Sequence, residues 1–430
     1  MSTDTHDTEQ QVARCPVRHD FLPLSPRGMD FPEDEIRPMR NETPIFFCEQ
    51  THMWVVTRYD DVVAICKDTK RFSSKNQFRA RPIPDAARPL FPEGQAVRRF
   101  ALLTDDPPRH TRIRKLCNKA FTRPRIAAMR PAIEEHTRML LDELVPRGEG
   151  ELISEFSAPL PAAMFADVLG LPRSEVNRIL VWGDAFMMTS EMLNVSDEEA
   201  VELFKEIKAF NELVPELARE RRANPRDESD FMTNLVLAED SDEPPLTDEE
   251  LLGVMSIFIV AGHETTRHLI GNAIDLLLQH PDQLAELRED PTRIHDVIEE
   301  TLRHSGSTKG LFRRAAVDAE IGGVTIPQGD IVQLMFSSAN HDETLWEDDM
   351  RFDIHREGLN RHIAFGLGRH FCIGAPLARL QGEIAIPELL RRMPNLRYKD
   401  GRPPTARIPS LAVYGLERLE LEWDASEVAV

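Results

Sequence analysis

The most constraining feature of the sequence is one long stretch of helical periodicity between residues 247 and 281. Thr247 and Glu250 form a capping-box pattern at its start, and Pro281 ends it. At about 1.5 Å per residue, such a helix measures roughly 45 to 50 Å and crosses a whole domain. The apolar run from Leu251 to Gly262 is too short to span a bilayer. We therefore expect this helix to pass through the core of a globular protein.

The same stretch contains the letters HETTRH at positions 263–268, which resemble a zinc-protease helix. In such a helix the two zinc-binding histidines are four residues apart, so that both imidazoles meet one metal ion. His268 follows His263 by five residues, which places it roughly 140° further round the helix. The spacing argues against a zinc hydrolase. We assign both histidines to packing or to the surface, without a functional role.

The composition is that of a soluble, globular protein with a net charge of -21, which argues against nucleic acid or an anionic membrane as the main partner. The five cysteines are scattered and contain no CxxC pair, so a reducing cytoplasm is expected. The polar N-terminus has no apolar core and predicts a flexible tail over residues 1–20. Since no repeat or low-complexity linker follows, residues 21–430 are predicted to form a single domain.

Helices are predicted to dominate the fold. A strand is expected at 53–57 and a short helix at 59–67, followed by a loop-rich segment with many prolines at 76–108. The pattern is then mostly helical to about residue 310, and alternation around two glycine turns predicts a hairpin within 319–336. The fold class is therefore mainly α, an α-rich α+β protein with a minor β region.

A glycine-rich loop near the C-terminus, AFGLGRHFCIGAPLARLQGE at 364–383, surrounds a single cysteine, Cys372, and leads into a helical pattern. Backbone N–H groups and the positive end of a following helix stabilise a thiolate, and glycines let the backbone curl close around the sulfur. A lone cysteine in a loop is more often a buried structural residue, and only the surrounding pattern changes that interpretation.

The pattern FGxGRHxCxG resembles the haem-binding loop of the cytochrome P450 superfamily. The resemblance implies the fold of that family, with a long central helix over the haem. It also implies that Cys372 is the axial thiolate ligand of haem b iron. Phe365, Gly366 and Gly374 would then belong to the loop that holds the cofactor.

Further matches to the family follow along the chain. Glu300 and Arg303 stand as its ExxR pair, and Arg351 stands where a third, bridging basic residue is expected. Taken alone, a Glu and an Arg three residues apart could be an ordinary surface ion pair. The resemblance instead implies a buried ion pair on the haem side of the core.

Four basic residues match the family's contacts to the haem propionates. They are His110 and Arg114, which share one helical face, together with Arg313 and His370. Two carboxylates taken out of water need charged donors of this kind.

The family's A-G-x-[D/E]-T motif matches Ala261, Gly262, Glu264 and Thr265 in the long helix. Cleavage of the O–O bond of dioxygen requires proton delivery, so the site needs a hydroxyl and an acid connected to bulk water. The resemblance implies that Thr265 supplies the hydroxyl and that Glu264 relays protons, while the small residue Ala261 lets the helix pass close to the haem. The alternatives are a back-bonded helical threonine and a solvated glutamate.

The resemblance implies a monooxygenase that inserts one oxygen atom of O2 into an organic substrate, by hydroxylation or O-dealkylation. Electrons would come from NAD(P)H. Two alternatives stay open: a peroxygenase driven by H2O2, which has no need of the Glu264–Thr265 pair, and a haem-binding protein without turnover.

The chain ends soon after the haem-binding part, so a separate ferredoxin and ferredoxin reductase are expected to supply electrons. Basic residues are concentrated between 105 and 125 in an otherwise acidic chain. An acidic ferredoxin or flavodoxin is predicted to dock on the proximal face at Arg112, Lys115 and Arg369. The protein is expected to act as a monomer.

The substrate is predicted to be a small or medium hydrophobic molecule. By position relative to the matched motifs, the residues expected to line its pocket are Ile257, Val260, Ala261, Thr308, Lys309 and Val413. Lys309 leaves open an anionic group on the substrate, although a solvated charge is the simpler interpretation.

Overall fold

The structure is a computed structural model that describes residues 16–23, 25–29, 33–77, 82–91, 100–190, 195–227, 230–239 and 242–425. Its helices are α1 Pro26–Met29, α2 Glu33–Glu42, α3 Tyr59–Lys67, α4 Arg109–Ala120, α5 Arg123–Ala128, α6 Arg130–Leu144, α7 Pro159–Leu169, α8 Val176–Ser190, α9 Asp197–Ala223, α10 Phe231–Val236, α11 Asp248–Gln279, α12 Pro281–Glu289, α13 Ile294–Ser305, α14 Phe336–Ala339 and α15 Ala375–Arg392. Its strands are β1 Val17–Arg18, β2 Ile45–Cys48, β3 Met53–Val56, β4 Phe72–Ser73, β5 Glu149–Glu151, β6 Gly310–Ala315, β7 Ala319–Ile321, β8 Val324–Ile326, β9 Ile331–Met335, β10 Arg397–Tyr398 and β11 Glu420–Glu422.

The long central helix is confirmed as α11, which is 32 residues long. The hydroxyl of Thr247 accepts the backbone N–H of Glu250 at 3.2 Å, and the Glu250 carboxylate accepts the N–H of Thr247 at 3.1 Å. This reciprocal pair is the predicted capping box, and it fixes where the helix begins.

Helix α11 divides the apolar core into two clusters. Its first half packs with α4 and with α7 to α10, in a cluster that includes Trp182, Phe210 and Met255. Its second half packs with α6, α13 and α15, in a cluster that includes Ile274 and Leu389. Because helices cover it on both sides, most of α11 is buried, as its apolar sequence predicts.

The minor β region is built mainly from one six-stranded sheet in the order β1-β2-β3-β9-β6-β4. The predicted hairpin is confirmed: β7 and β8 pair antiparallel, and Gly322 and Gly323 form the turn with positive φ angles of 56° and 79°. The predicted helix at 59–67 coincides with α3, and the predicted early strand is β3. The mainly α fold class is confirmed.

One predicted boundary is wrong. Residues 1–15 of the predicted tail lie outside the described residues, but Val17 and Arg18 form β1 and pair in parallel with Phe47 and Cys48. The backbone N–H of Phe47 also donates to the carbonyl of Pro16 at 2.8 Å. The edge of β2 offered free backbone groups, and the polar sequence of the tail did not reveal this pairing.

Among the described residues, no helix combines the length and the apolar character that crossing a membrane requires.

Candidate functional site

The cysteine loop places Cys372 three residues before the start of α15. The backbone N–H of Cys372 donates to the carbonyl of Phe365 at 2.9 Å, which closes the loop on itself. Burial raises the pKa of the Cys372 thiol, while the backbone N–H groups of Gly374 and Ala375 and the charge of Arg114 lower it. The sulfur therefore faces the donors that a thiolate ligand needs.

Two glycines give the cysteine loop its path. Gly366 and Gly368 have φ angles of 68° and 66°, in the left-handed region that favours glycine. A Cβ atom on Gly368 would lie 3.2 Å from the carbonyl oxygen of Cys66 in α3. A third glycine, Gly374, leaves the space beside the Cys372 sulfur open, since its Cβ would lie 3.8 Å from Sγ.

A second set of contacts, which the sequence did not indicate, holds this loop against α13. Arg379 of α15 donates two hydrogen bonds to Glu299, at 2.6 and 2.8 Å, and its guanidinium lies 4.6 Å from the centre of the Phe365 ring. His362, at the start of the loop, lies 3.2 Å from the same carboxylate. Glu299 therefore fixes both ends of the segment that carries Cys372.

The four basic residues predicted to contact haem propionates come together. The rings of His110 and His370 lie 4.3 Å apart; the charge of Arg114 acts on both histidines, and that of Arg313 acts on His370. Burial lowers the pKa of all four groups, and that of His370 falls to about 3. So many buried bases in one place fit a ligand that brings negative charge.

Unsatisfied atoms and neighbouring side chains support the same interpretation. The Nε2 atom of His110 is buried without a hydrogen bond among the described residues. Ser74 Oγ lies 3.0 Å from His370 Nε2, and Arg313 donates to Gln77 Oε1 at 3.2 Å. Ser74 and Gln77 were not predicted, because they lie in an irregular segment without a motif. The cluster has the donors that two haem carboxylates require, and we conclude that these residues fit haem b.

The middle of α11 is open on one face. Ala261 and Gly262 are exposed within an otherwise buried part of the helix, and a Cβ on Gly262 would meet nothing within 4 Å. Val260 and Ile373, the residue after Cys372, both pack against the first apolar cluster. The Thr265 hydroxyl donates to the carbonyl of Ala261 at 2.6 Å, which leaves its oxygen free to accept.

Glu264 is buried rather than solvated, with 2% of its surface exposed. Arg267 Nη2 lies 2.8 Å from Glu264 Oε2. Burial raises the pKa of Glu264, but the neighbouring imidazole of His268 and the charge of Arg267 outweigh this effect and lower the pKa to about 2. The carboxyl group is therefore an anion at neutral pH.

The predicted ion pair is present, with one correction. Arg303 donates to both oxygens of Glu300, at 2.7 and 2.8 Å, and both side chains are buried. The third basic residue is Arg356, whose Nε lies 3.2 Å from Glu300. The prediction of Arg351 is wrong: its side chain is exposed, and only its backbone carbonyl accepts from Arg303. The turn that follows Arg351 directs the side chain of Arg356, and not that of Arg351, toward Glu300.

The residues predicted to line the substrate pocket are partly brought together. Thr308 and Val413 pair in an isolated antiparallel bridge, and Ile257 is 8% exposed on α11. Lys309 is fully buried, and its ammonium donates to the carbonyl of Ser410 at 2.8 Å. This lysine therefore anchors the bridge between the two segments and does not extend into open space.

The predicted docking residues differ in their accessibility. Arg112 forms an ion pair with Glu250 and donates to the carbonyl of Pro244, so 17% of its side chain is exposed. Lys115 and Arg369 are exposed, and the Phe371 ring beside Cys372 is 41% exposed.

Comparisons with known proteins agree with this geometry. A model of the family described as Cytochrome P450 matches residues 174–413. The chain is 40% identical over 372 residues to Cytochrome P450 107B1 of Saccharopolyspora erythraea, covering 85% of this chain and 88% of that protein. It is 35% identical to Cytochrome P450 monooxygenase PikC of Streptomyces venezuelae, covering 97% of each.

Solved structures give the same result. The fold superposes on cytochrome P450 CREJ with a TM-score of 0.85 and 30% identity, covering 94% of this chain and all of that one. With the Cys372 loop, the cluster of four basic residues and the open face of α11, these similarities show that the chain belongs to the cytochrome P450 superfamily, as a monooxygenase of the bacterial kind that uses haem b and O2.

Proposed function

We propose that the protein inserts one oxygen atom of O2 into a small or medium hydrophobic substrate, by hydroxylation or O-dealkylation, with electrons from NAD(P)H delivered by separate redox proteins. The observation that carries the proposal is the acid–alcohol pair on α11. Glu264 is a buried anion next to Thr265, and both lie beside the only stretch of small, exposed residues described in that helix, Ala261 and Gly262. The haem, when bound, supplies the activation of dioxygen.

In this proposal the residues of the chain have distinct tasks. Cys372 holds the iron, and the bases of the propionate-binding cluster (His110, Arg114, Arg313 and His370) hold the carboxylates of the haem. Thr265 accepts a hydrogen bond at its hydroxyl oxygen, because its hydrogen is donated to Ala261. Glu264, held as an anion, accepts protons from solvent and passes them toward the open face.

The substrate would lie on the apolar side of this face, against Ile257, Val260 and Ala261, with Thr308 and Val413 at its far end. The buried position of Lys309 does not support a salt bridge from its ammonium to the substrate. We therefore propose an uncharged substrate, or one whose charge is bound elsewhere.

We also propose that an acidic ferredoxin or flavodoxin docks around Phe371, with Lys115 and Arg369 as its basic contacts. An exposed aromatic ring rimmed by positive charge suits such a partner. Replacing Lys115 and Arg369 with Glu should lower the ferredoxin-supported rate and flatten its dependence on salt. The same change at Arg112, of whose side chain only 17% is exposed, should have a smaller effect. Equal effects at all three positions would contradict this assignment.

One assay distinguishes the proposed monooxygenase from the two alternatives, a peroxygenase and a haem-binding protein without turnover. A monooxygenase consumes NAD(P)H in a substrate-dependent manner with a surrogate ferredoxin system and forms an oxygenated product. A peroxygenase forms product with H2O2 alone at a comparable rate, and a haem-binding protein forms none. The position of the buried Glu264 next to Thr265 favours the first outcome.

Thr265→Ala tests the mechanism. It should retain haem and substrate binding, but the fraction of NAD(P)H that ends in product should fall about tenfold or more, with hydrogen peroxide formed instead. Thr266→Ala is the matched control, because Thr266 is buried on another face of the same helix. If the Thr265 variant kept the coupling of the parent, the role given to Thr265 would be wrong.

A further inference from the structure

Two adjacent glutamates of α13 contact different parts of the core. Glu300 forms the ion pair with Arg303, whereas Glu299, about 100° away round the helix, faces α15 and the cysteine loop. The side chain of Glu299 is 9% exposed, and its two oxygens accept from Arg379 at 2.6 and 2.8 Å. This buried carboxylate contacts the segment that carries Cys372, and the proposed mechanism does not use it.

The protonation state of His362 follows from its hydrogen bonds. The backbone N–H of Ala364 donates to His362 Nδ1 at 3.2 Å, so Nδ1 carries a lone pair and the single ring proton is on Nε2. Nε2 lies 3.2 Å from Glu299 Oε2 and therefore donates to it. The imidazole is neutral in this arrangement, and the charge of Glu299 is balanced by Arg379.

Arg379 connects this carboxylate to the cysteine loop. Its guanidinium carbon lies 4.6 Å from the centre of the Phe365 ring, an arrangement in which the face of the ring attracts the cation. The carbonyl of the same phenylalanine accepts the backbone N–H of Cys372 at 2.9 Å. Burial raises the pKa of the Cys372 thiol, and the charge of Arg379 is among the influences that lower it. The arginine therefore acts on the cysteine both through the loop and through its charge.

Glu299 is ionised at neutral pH. Burial raises its pKa, but the hydrogen bonds from Arg379 and His362 outweigh this effect and lower the pKa to about 2. A carboxylate and a guanidinium joined by two hydrogen bonds form a nearly neutral pair, whose field at a distance is much weaker than that of either charge alone. Glu299 therefore offsets, at Cys372, the positive charge of Arg379.

We infer that Glu299 is a positioning residue for the haem thiolate: it holds Arg379 on Phe365 and offsets the charge of that arginine, which keeps the reduction potential of the iron low. The inference rests on the proposed role of Cys372 as the axial ligand. A positive charge near the iron favours the state that has gained an electron, and the groups around the thiolate are one means by which a protein sets this potential.

The two members of the pair should shift the potential in opposite directions. Glu299→Gln keeps the shape of the side chain but leaves the charge of Arg379 without its partner, so the potential should become more positive. Arg379→Gln removes the cation and leaves the carboxylate, so the potential should become more negative. In the double variant both charges are absent, and the potential should return toward that of the parent. A change that only loosened the loop would not reverse sign between the two single variants.

The test is a spectroelectrochemical titration of the purified, haem-loaded protein and its variants, without substrate or redox partner. At a fixed potential, the ratio of ferrous to ferric protein should rise about threefold or more in Glu299→Gln and fall by a similar factor in Arg379→Gln. Glu388→Gln is the matched control, because Glu388 accepts from Arg391 at the same two distances, 2.6 and 2.8 Å, on the exposed side of α15. The control should leave the ratio unchanged.

The spectrum of the reduced CO complex shows whether each variant still binds the thiolate. If Glu299→Gln does not retain haem, Arg379→Gln decides: a more negative potential supports the inference, and an unchanged or more positive one overturns it. The inference is also overturned if the two single variants shift the potential in the same direction, or if the double variant does not return toward the parent. A parent protein without the thiolate band would refute the role of Cys372 itself, so the two failures are distinguishable.

Discussion

Two buried glutamates on neighbouring helices differ in how their carboxylate oxygens are hydrogen-bonded. Glu300 on α13 is fully buried, and each of its oxygens is hydrogen-bonded: Oε2 to Arg303, and Oε1 to Arg303, Arg356 and the backbone N–H of Asp353. Glu264 on α11 is 2% exposed, and its Oε1 makes no hydrogen bond among the described residues.

This difference supports the proposal that Glu300 has a structural role and that Glu264 has a role in proton delivery. A charge whose acceptor sites are all used holds its neighbours in place and has no capacity left for chemistry. A charge with an unused acceptor site, next to an open helix face, is available to receive a proton. Buried position alone would not have distinguished the two residues.

The largest effect on stability is expected at Glu300, whose carboxylate oxygens are both hydrogen-bonded. Glu300→Gln leaves the buried Arg303 without its charge partner and should lower the free energy of unfolding by about 3 to 5 kcal/mol. Haem content should fall as well, because Arg303 also donates to the carbonyl of Asn340, whose side chain accepts from the N–H of Ile363 just before the cysteine loop. Urea unfolding and the haem-to-protein ratio measure both effects. If the variant were as stable as the parent, the structural role assigned to the Glu300–Arg303 pair would be wrong.

A smaller loss of stability and a larger loss of function are expected at Glu264. Glu264→Gln should lower the free energy of unfolding by about 2 kcal/mol at pH 7 and retain haem, while coupling of NAD(P)H to product falls. Because the pKa of Glu264 is lowered from 4.5 to about 2, its ionised form contributes stability that is lost as the pH falls through that range. The difference between parent and variant should therefore shrink below about pH 4.5. A constant difference would contradict the ionised state.

The smallest effects on stability distinguish Arg356 from Arg351 as the second arginine that contacts Glu300. Arg356→Leu should cost about 1.5 kcal/mol, because Arg356 donates to Glu300 and to three backbone carbonyls, those of Glu347, Asp348 and Arg351. Arg351→Leu should stay within about 0.5 kcal/mol of the parent, since its side chain is exposed. Thermal or urea unfolding of the two variants compares them directly. The reverse order would restore Arg351 as the bridging residue.

Local patterns carried most of what could be predicted. The cap of α11 and the turns around Cys372 depend on residues within a few positions of one another, so their spacing was sufficient. The ExxR pair was predicted from its match to the family, because its spacing alone fits a surface ion pair equally well. Arg356 was missed because the segment after α14 is irregular, and no period tells which side chain turns inward.

The burial of His263 and His268 could not be predicted from α11 alone. Their angular separation argues against a shared zinc ion. Their burial depends on Gly183 and Gly415, which lie far from them in the sequence and meet them only in the folded chain. A helix projection shows that both histidines flank Glu264 but not that other elements close over them.

The most direct test of the account is the absorption spectrum of the reduced CO complex of Cys372→Ser. If Cys372 provides the axial thiolate, the variant should lose the red-shifted Soret band that a thiolate ligand produces, while Cys117→Ser, a buried cysteine on α4, should keep it. Persistence of the thiolate band in Cys372→Ser would contradict the ligand assignment and the mechanism built on it.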